Sequence, residues 1–563
     1  MLNKDKKGLG NWKGFFTGIA LTSVVVLFIQ AKTEDSFFEI SKNLDIFTTL
    51  FRELNSYYVD PIEPGKMVKT GVDAMLHDLD PYTNYITESD MEDFEFMTTG
   101  KYGGIGATMR RRGDEIFVGD VYENSPAQKA GLHPGDQVIA IEATQLKGKS
   151  IEEISVLLKG SPGTQVTVKI KDAYTGEETK RIITRSEIEV SSVPYAGLIG
   201  KDKNIAYVKL NQFTQGCAFL VRASLDSLKN AHHNLKGVVL DLRNNPGGLL
   251  EEAVQLCNIF IDRGQLVVAT KGKLSEMDKD YKTQGSPWDT KIPVTVLVNH
   301  SSASASEIVS GTLQDLDRGM VIGERSYGKG LVQVTRNIGY NAKLKLTTAK
   351  YYTPSGRCIQ AIDYSHRNPD GSVGRVPDSL KKTFTTKGGR KVLSGGGIEP
   401  DITVENEDMS KLGITLYTKN YLFEYATVYA KQHASIPSAS DFSLSDAEFQ
   451  GFTKWLDGKD YDYKSETEIA LDSIQSLAEK EKFLDAIKAD LATLKTKIVH
   501  DKLQDLLKNK EEIKKLLESE IVSRFYFMKG RIEQSFRYDN DLEKAVYFVE
   551  QPAQMQAMLQ VKK

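Results

Sequence analysis

The chain has 563 residues, of which 40% are hydrophobic and 26% are charged, and its formal net charge is −3. One hydrophobic core does not span this length, so several domains are expected. The small net charge excludes a broad surface for nucleic acid or anionic lipid, because such surfaces are strongly basic. Three cysteines are too few for a disulfide framework, and no His or Cys cluster has zinc spacing, so we expect no metal and no other cofactor.

A basic segment and then an apolar segment open the chain. Four lysines lie within residues 1–13, and residues 14–31 are predominantly apolar. This pattern is typical of a secretory signal peptide or of an uncleaved signal anchor. Residues 29–31 do not place small residues at both positions of a cleavage site, which favours the anchor. We therefore expect the chain to be anchored in the inner membrane facing the periplasm, or secreted into an extracytoplasmic space, with residues 1–13 in the cytoplasm.

An N-terminal helical region is predicted for residues 36–98. Apolar residues recur there at helical spacing and predict helices over 40–58 and 64–79.

A β-rich region follows at 101–175. It opens with a glycine-rich turn at 103–106, carries Leu-His-Pro-Gly-Asp at 132–136, and has a second helix that begins near Ser150. These features resemble a PDZ domain. The resemblance implies that a substrate C-terminus adds as a strand to a sheet edge, while its last side chain enters an apolar groove beside the second helix. The carboxylate would be bound by the amides of Gly104, Ile105 and Gly106.

A buried strand, a glycine-rich turn and a helix are predicted for residues 236–250, which include Asp-Leu-Arg-Asn-Asn-Pro-Gly-Gly at 241–248. In an α/β sheet, ligands bind beyond the carboxyl ends of the strands. Gly247 and Gly248 would present bare amides there, and either is a candidate donor to an oxyanion. An ordinary strand-to-helix turn is the alternative interpretation.

A serine-rich turn precedes the next helix. Ser304-Ala305-Ser306-Glu307 has the spacing of a capping box, and the apolar residues after it predict a helix over 305–317. One interpretation is that Ser304 only caps this helix. The other is that Ser304 is a nucleophile, because the free amides at the helix N-terminus, including that of Ala305, would face an oxyanion formed there.

Lys329 lies in a Gly-Lys-Gly turn, and Gln333 follows in an apolar strand. A solvated loop charge is the plainer interpretation of this lysine. To act as a base at neutral pH, its ammonium would need a pKa about three pH units lower, which costs on the order of 4 kcal/mol. Burial against the apolar residues of the strand would lower that pKa. Gln333 would then orient the neutral amine.

Several motifs in order carry a resemblance to one enzyme family. Ser-Ala-Ser-Glu-Ile at 304–308, Gly-Glu-x-x-Tyr-Gly-Lys-Gly-x-Val-Gln at 323–333 and the glycine-rich turn at 241–248 are similar to the carboxy-terminal processing peptidases, which are S41 serine peptidases. The likeness covers roughly residues 36–405. It implies a nucleophile, a general base and a residue that positions the base, which are Ser304, Lys329 and Gln333. The 25 positions between the first two match the family spacing and select Ser304 over Ser301, Ser302 and Ser306.

Other interpretations stay open at this point. His300 could serve as the base of a Ser-His-Asp triad with Asp241 or Asp315, although a structural role is favoured for His300, and Asp315 and Glu324 are expected to support the site or form ion pairs. A PDZ scaffold with an inactive catalytic domain is a second function, which the intact Ser304 and Lys329 disfavour. Acyl chemistry on a small thioester is a third, but no coenzyme site is visible.

The sequence predicts a multidomain α/β protein with an inserted PDZ-like domain. A serine-lysine protease domain is expected at 187–405 and a helical C-terminal domain at 408–563. We expect this last domain to pack on the catalytic body, and a dimerisation or adaptor-docking arm is the alternative. The predicted function is an extracytoplasmic serine endopeptidase that processes or degrades envelope proteins with exposed C-termini. A homodimer and an adaptor protein are the other expected partners, besides the membrane.

Overall fold

The computed structural model describes residues 37–406, 408–498 and 502–560. The basic and apolar segments predicted at 1–13 and 14–31 lie outside the described residues. Among the described helices, none combines the length and the apolar character that a membrane span requires.

The N-terminal unit extends to Tyr85 and contains two helices. Helix α1 covers 37–57, and helix α2 (Pro64–His77) begins with a proline, whose missing N–H would have no partner in a first turn anyway. Both lie close to the predicted positions. Strand β1 (Asn84–Ile86) follows.

The main unit begins at Ile86, and its first part is β-rich. Five strands pair in the order β3-β4-β5-β7-β8, β6 adds to β5, and β2 pairs with β9. Apolar side chains alternate along β7, so one face of the sheet packs inward. The elements are α3 (Met91–Thr99), β2 (Lys101–Gly104), β3 (Ala107–Arg112), β4 (Glu115–Val121), α4 (Pro126–Lys129), β5 (Gln137–Ile141), β6 (Thr144–Gln145), α5 (Ile151–Leu158), β7 (Gln165–Lys171), β8 (Glu178–Thr184) and β9 (Ser186–Glu189).

The catalytic body is built on a six-stranded sheet in the order β10-β11-β12-β15-β16-β23. The pairs from β11 to β23 are parallel, and β10 is antiparallel to β11. Helices α6, α7 and α8 cover one face. The elements that form this sheet and this layer are β10 (Tyr195–Ile199), β11 (Ile205–Lys209), α6 (Cys217–Ala231), β12 (Gly237–Asp241), α7 (Leu250–Phe260), β15 (Val294–Val298), α8 (Ala305–Asp315), β16 (Met320–Gly323) and β23 (Ile402–Thr403).

A second sheet, which is antiparallel, lies beside the first. The loop that contains Lys329, called the lysine loop below, leads into its strand β17. Strand β18 pairs with β17 on one side and with β13 on the other, and β13 pairs with β14. Two short hairpins, β19 with β20 and β21 with β22, follow. The strands are β13 (Leu266–Gly272), β14 (Lys279–Lys282), β17 (Leu331–Gly339), β18 (Ala342–Tyr352), β19 (Ile362–Arg367), β20 (Val373–Arg375), β21 (Thr383–Thr385) and β22 (Lys391–Leu393).

The end of the chain supplies the other face of the catalytic sheet. All five residues of β12 and all five of β15 are buried, which requires a layer on both faces. Side chains such as Val239 and Leu297 point away from α6–α8 and pack against α16 (Asn540–Glu550) and α17 (Pro552–Leu559). The second helical layer of the catalytic sheet therefore comes from the C-terminal region.

The remaining C-terminal helices have a core of their own, rich in aromatic side chains. The long helix α15 is interrupted at Phe527, whose φ of 54° and ψ of −158° are not helical. The helices are α9 (Lys411–Thr418), α10 (Tyr421–Gln432), α11 (Asp446–Trp455), α12 (Glu466–Lys480), α13 (Leu484–Lys497), α14 (Lys502–Lys508) and α15 (Lys510–Ser535). The predicted multidomain α/β class, with a β-rich domain ahead of the catalytic body and helices after it, is confirmed.

Candidate active site

Ser304 differs from Ser302 and Ser306, the serines two positions before and after it. The hydroxyls of Ser302 and Ser306 are fully buried, and each donates to a main-chain carbonyl, at 2.8 Å and 2.9 Å. Ser304 is only half-buried, and it precedes α8 with φ 55° and ψ −112°. A positive φ is uncommon for a residue with a side chain and recurs at functional turns. The neighbouring serines therefore hold the turn together, while Ser304 faces the solvent side of it.

The loop of Lys329 comes close to that turn. Gly328 has a φ of +89°, and a Cβ there would lie 2.4 Å from Cβ of Ala361, so only glycine fits. The next glycine, Gly330, donates its N–H to the side chain of Gln360 at 2.7 Å. Lys329 between them is half-buried. The glycines thus let the loop press against the body and place the lysine at the edge of the buried region.

The carboxylate of Glu307 joins the two turns. Oε2 accepts the backbone N–H of Ser304 at 2.8 Å and that of Lys329 at 2.9 Å. Oε1 accepts the hydroxyl of Ser326 and the N–H of Gly328, both at 2.6 Å. Glu307 is fully buried, and burial raises its pKa to about 7, against the effect of these four hydrogen bonds. A single carboxylate oxygen of Glu307 therefore binds the backbone N–H groups of both Ser304 and Lys329.

The candidate oxyanion donors come from the glycine-rich turn and from the residue after Ser304. A Cβ on Gly247 would lie 2.8 Å from Cβ of Ser304, so the glycine-rich turn passes directly beside the serine. The N–H of Gly247 donates to Oδ1 of Asn245 at 2.9 Å, so it is not available to an oxyanion. Within the described residues, the N–H groups of Gly248 and Ala305 have no acceptor. Of the two glycines, Gly248 is thus the better candidate, together with Ala305.

Gln333 lies on β17 and is half-buried. Its side-chain amide donates to the hydroxyl of Thr347, directly across on β18, at 3.1 Å. This contact fixes the side chain on the strand that leaves the lysine loop.

The rival base is not assembled with either aspartate. His300 is largely exposed, and its Nδ1 lies 3.0 Å from the carboxylate of Glu324. Asp241 is buried against Tyr207, Lys209 and Arg243, and Asp315 pairs with Arg357 at 2.8 Å. The expectation that Asp315 and Glu324 form ion pairs agrees with these contacts.

Glu307 and Asn245 are the residues whose roles sequence reasoning missed. The capping-box spacing signalled the bond from Glu307 to Ser304, but not the three bonds to the lysine loop. Asn245 donates to the carbonyl of Leu210 at 2.8 Å, while its own carbonyl accepts from Ser306 at 2.9 Å. It thereby links the glycine-rich turn to the serine turn, a contact between distant segments that no local signal reveals.

The β-rich domain carries the second predicted site. A groove of about 340 Å³ runs between β3 and α5 and is lined by Gly104, Ile105 and Leu158. Strand β3 is at the edge of its sheet, so a peptide can pair with it. Two hydrogen bonds stabilise the turn at 103–106, because the carbonyls of Ile105 and Gly106 accept backbone N–H groups at 2.8 Å and 2.9 Å. A pocket next to an edge strand is the arrangement that a strand-adding peptide requires.

Comparisons with known proteins agree with this geometry. The family model for peptidase family S41 matches residues 204–373, that for a PDZ domain matches 117–172, and that described as "Probable PDZ-protease, C-terminal helical domain" matches 412–549. A probable CtpA-like serine protease of Staphylococcus aureus (strain COL) is 32% identical over 407 residues, which are 71% of this chain and 73% of that protein. A carboxy-terminal-processing protease of Bartonella bacilliformis is 34% identical over 377 residues, 66% of this chain and 85% of that one.

The chain belongs to the carboxy-terminal-processing serine peptidases of family S41. The predicted family, the PDZ domain and the serine-peptidase class are thereby confirmed. Among solved structures, this S41 peptidase is similar to the photosystem II D1 C-terminal processing protease, with 25% identity over 64% of this chain and 92% of that chain. The TM-score of that match is 0.33.

Proposed function

We propose that this peptidase selects extracytoplasmic proteins by their C-termini and cuts them with Ser304 and Lys329. The observation that supports the pair most directly is the carboxylate of Glu307. Its Oε2 accepts the backbone N–H groups of both residues, which places the serine turn and the lysine loop side by side.

The proposed reaction is acyl transfer through the serine. The hydroxyl of Ser304 attacks the scissile carbonyl while the neutral amine of Lys329 accepts its proton. The amides of Ala305 and Gly248 donate to the oxyanion, each worth a rate factor of roughly 100 to 1,000 where such donors have been removed. The lysine then protonates the leaving amine, and water, activated by the lysine in turn, releases the acyl group. Gln333 orients the lysine from β17.

The PDZ groove supplies the choice of substrate. A C-terminal segment would add antiparallel to the free edge of β3, with its carboxylate at the turn of Gly104, Ile105 and Gly106. Its last side chain would contact Ile105 and Leu158, which are both buried and apolar. We therefore expect substrates that end in an apolar residue, and the proposed class is envelope proteins with loose C-termini. The PDZ domain gates cleavage in this proposal, so removing residues 101–175 abolishes or deregulates it.

Helix α1 suggests how two copies associate. Phe37, Ile40, Leu44 and Phe47 recur at three- and four-residue spacing, and between 51% and 72% of each is exposed. Such a stripe is characteristic of a helix that packs against another helix. The proposed occupant is α1 of a second copy, which agrees with the expected homodimer. An adaptor that binds the C-terminal helices, and attachment to the membrane through residues 14–31, complete the proposed partners.

The test compares the full chain with Ser304→Ala and Lys329→Ala on an unfolded protein that ends in an apolar residue. Cleavage is followed by gel and mass spectrometry at pH 7 and pH 9. Ser301→Ala, a half-buried serine in the same turn, is the matched control. Loss of cleavage in the first two variants but not in the control supports the proposal. Equal cleavage by all variants refutes the site, and no acyl-enzyme on Ser304 with a trapping probe refutes the enzyme in favour of a scaffold.

A further inference from the structure

The last helical layer of the molecule reaches the edge of the candidate active site. Helix α16 begins at Asn540, and its N-cap Asp539 accepts the N–H of Leu542 at 2.9 Å. The helix packs on β12, β15 and β16, so its N-terminus comes to the carboxyl end of the catalytic sheet. Asp539 and Asp541 are thus placed next to the residues that follow β12.

Arg243 occupies the space between these two aspartates and the sheet. Its guanidinium uses all five N–H groups on three carboxylates. Asp241 accepts at 3.0 Å and 2.7 Å, Asp539 accepts at 2.7 Å and 2.6 Å, and Asp541 accepts at 2.9 Å. Two of the three acids come from the C-terminal region. A planar guanidinium held by two bidentate carboxylates has a fixed position and orientation.

Burial and charge act against each other in this cluster, and burial raises the pKa of Asp541. The side chain of Arg243 is 16% exposed, and those of Asp539 and Asp541 are 11% and 4% exposed. Burial works against ionised Asp241, but Arg243 and Lys209 outweigh it and lower its pKa. Removing one partner from such a buried group leaves the others uncompensated. The position of Arg243 therefore depends on the aspartates of α16.

Arg243 also lies near the start of the glycine-rich turn, two residues after the end of β12. Asn244 follows in a left-handed conformation and exchanges two hydrogen bonds of 2.9 Å with Asn299, which precedes the serine turn. Asn245 then holds Gly247, which lies against Ser304. A shift of Arg243 would be passed along four residues to the amide of Gly248.

We propose that Asp539 and Asp541 are positioning residues for the oxyanion-binding turn of this peptidase. They act through Arg243 and touch neither substrate nor nucleophile. The inference rests on the proposed function, and it implies that the active site is incomplete without the C-terminal helix α16, which lies outside the S41-matched segment 204–373.

The expected effect is on the chemical step. Asparagine caps a helix as well as aspartate, so Asp539→Asn keeps α16 but turns one acceptor oxygen into a donor that faces the guanidinium. A displaced oxyanion donor weakens only the transition state, so kcat falls while KM is unchanged. We expect a fall of about 10- to 100-fold, below the loss of roughly 100- to 1,000-fold for a deleted donor.

The experiment measures kcat, KM and melting temperature for Asp539→Asn and Asp541→Asn in the full chain. Glu543→Gln, an exposed acid in the same helical turn, is the matched control. Affinity for a peptide aldehyde, whose adduct with Ser304 carries the oxyanion, is measured for each variant. We expect this affinity to fall by the same factor as kcat. In an Arg243→Lys background, Asp539→Asn should add less than about twofold, because coupled residues are not additive.

Three results would overturn the positioning role of Asp539 and Asp541. A rise in KM at constant kcat, or kcat values equal to that of Glu543→Gln, overturns the positioning role. So does a fall in kcat that the aldehyde affinity does not follow, since general destabilisation would cause it. If Asp539→Asn does not fold, Asp541→Asn carries the same test without touching the helix cap. Cleavage by Ser304→Ala would refute the proposed function itself, whereas an inactive Ser304→Ala with active Asp539→Asn and Asp541→Asn refutes only this inference.

Discussion

Replacing Glu307 by glutamine should lower activity without lowering stability at alkaline pH. The carboxylate accepts four hydrogen bonds in a fully buried site, from Ser304, Ser326, Gly328 and Lys329. A neutral glutamic acid brings one O–H donor into this ring of donors and a glutamine brings an NH2 group, so in each case one acceptor oxygen gives way to a donor group. The stability difference between wild type and Glu307→Gln therefore reduces to the free energy of ionising the buried acid.

The pKa of Glu307 sets the size and sign of that difference. It is raised from 4.5 to about 7 in the folded protein, chiefly by burial. A raised pKa means that the side chain stabilises the fold most below pH 4.5, and that this contribution is lost as the pH rises through 7. A shift of this size corresponds to about 3 kcal/mol. Glu307→Gln should match wild type near pH 4.5 and exceed its stability by about 3 kcal/mol at pH 8.

Activity should move in the opposite direction. The ionised carboxylate aligns the serine turn and the lysine loop, so wild-type kcat should rise as Glu307 loses its proton around pH 7. In Glu307→Gln we expect kcat to fall by about 10- to 100-fold, since misplacing reacting groups by about 1 Å costs roughly 100-fold. The part of the pH profile that belongs to Glu307 should vanish.

The assay is urea unfolding between pH 4.5 and pH 8, paired with kcat against pH, with the exposed Glu543→Gln as control. A stability difference that does not change over this range would refute the reasoning, and so would a variant that is less stable than wild type at pH 8. Full activity in Glu307→Gln would show that the carboxylate does not align the two turns.

Four further outcomes follow from single contacts. Gly248→Ala should abolish cleavage in the peptide assay, because its Cβ would lie 2.3 Å from a backbone carbonyl oxygen; residual activity above about 10% contradicts this. Arg357→Leu should destabilise the catalytic body by about 3–5 kcal/mol in urea unfolding, since it strands a buried aspartate, and a loss below about 1 kcal/mol would be inconsistent with that pair. Leu158→Glu should weaken binding of an apolar C-terminal peptide in calorimetry by at least about tenfold, whereas Val156→Glu, exposed on the same helix, should not. Phe47→Glu should convert a dimer to a monomer in sedimentation, and an unchanged mass would refute the α1 contact.

Short-range sequence patterns predict much of the candidate site. The helix after Ser304 begins at Ala305 as its capping-box spacing predicts. Gly328, before Lys329, takes the positive φ that glycine allows, and Gly330, after it, lets the backbone approach Gln360 closely. These features depend on neighbours within a few residues, so a single sequence reveals them. Whether Ser304 and Lys329 react remains a prediction.

Contacts between distant segments explain what the sequence did not reveal. The apolar run at 238–240 indicates that β12 is covered on both faces, but it does not show which helix covers the second one. Helix α16 takes that place from about 300 positions further along the chain, and its amphipathic pattern would serve equally well on any apolar surface.

The start of α16 also bears on the proposed chemistry, because its acids bind Arg243. A helix that only shielded Val239 and Leu297 would need apolar side chains along one face and an N-cap residue such as Asp539. Helix α16 instead begins with two nearly buried acids against one arginine, which is a costly arrangement unless every charge is satisfied. The acids satisfy Arg243, and Arg243 precedes the turn beside Ser304. Shielding of the sheet and alignment of the turn therefore both depend on α16. Variants that keep its apolar face and change only Asp539 or Asp541 should lower the rate of the chemical step without lowering the stability of that layer.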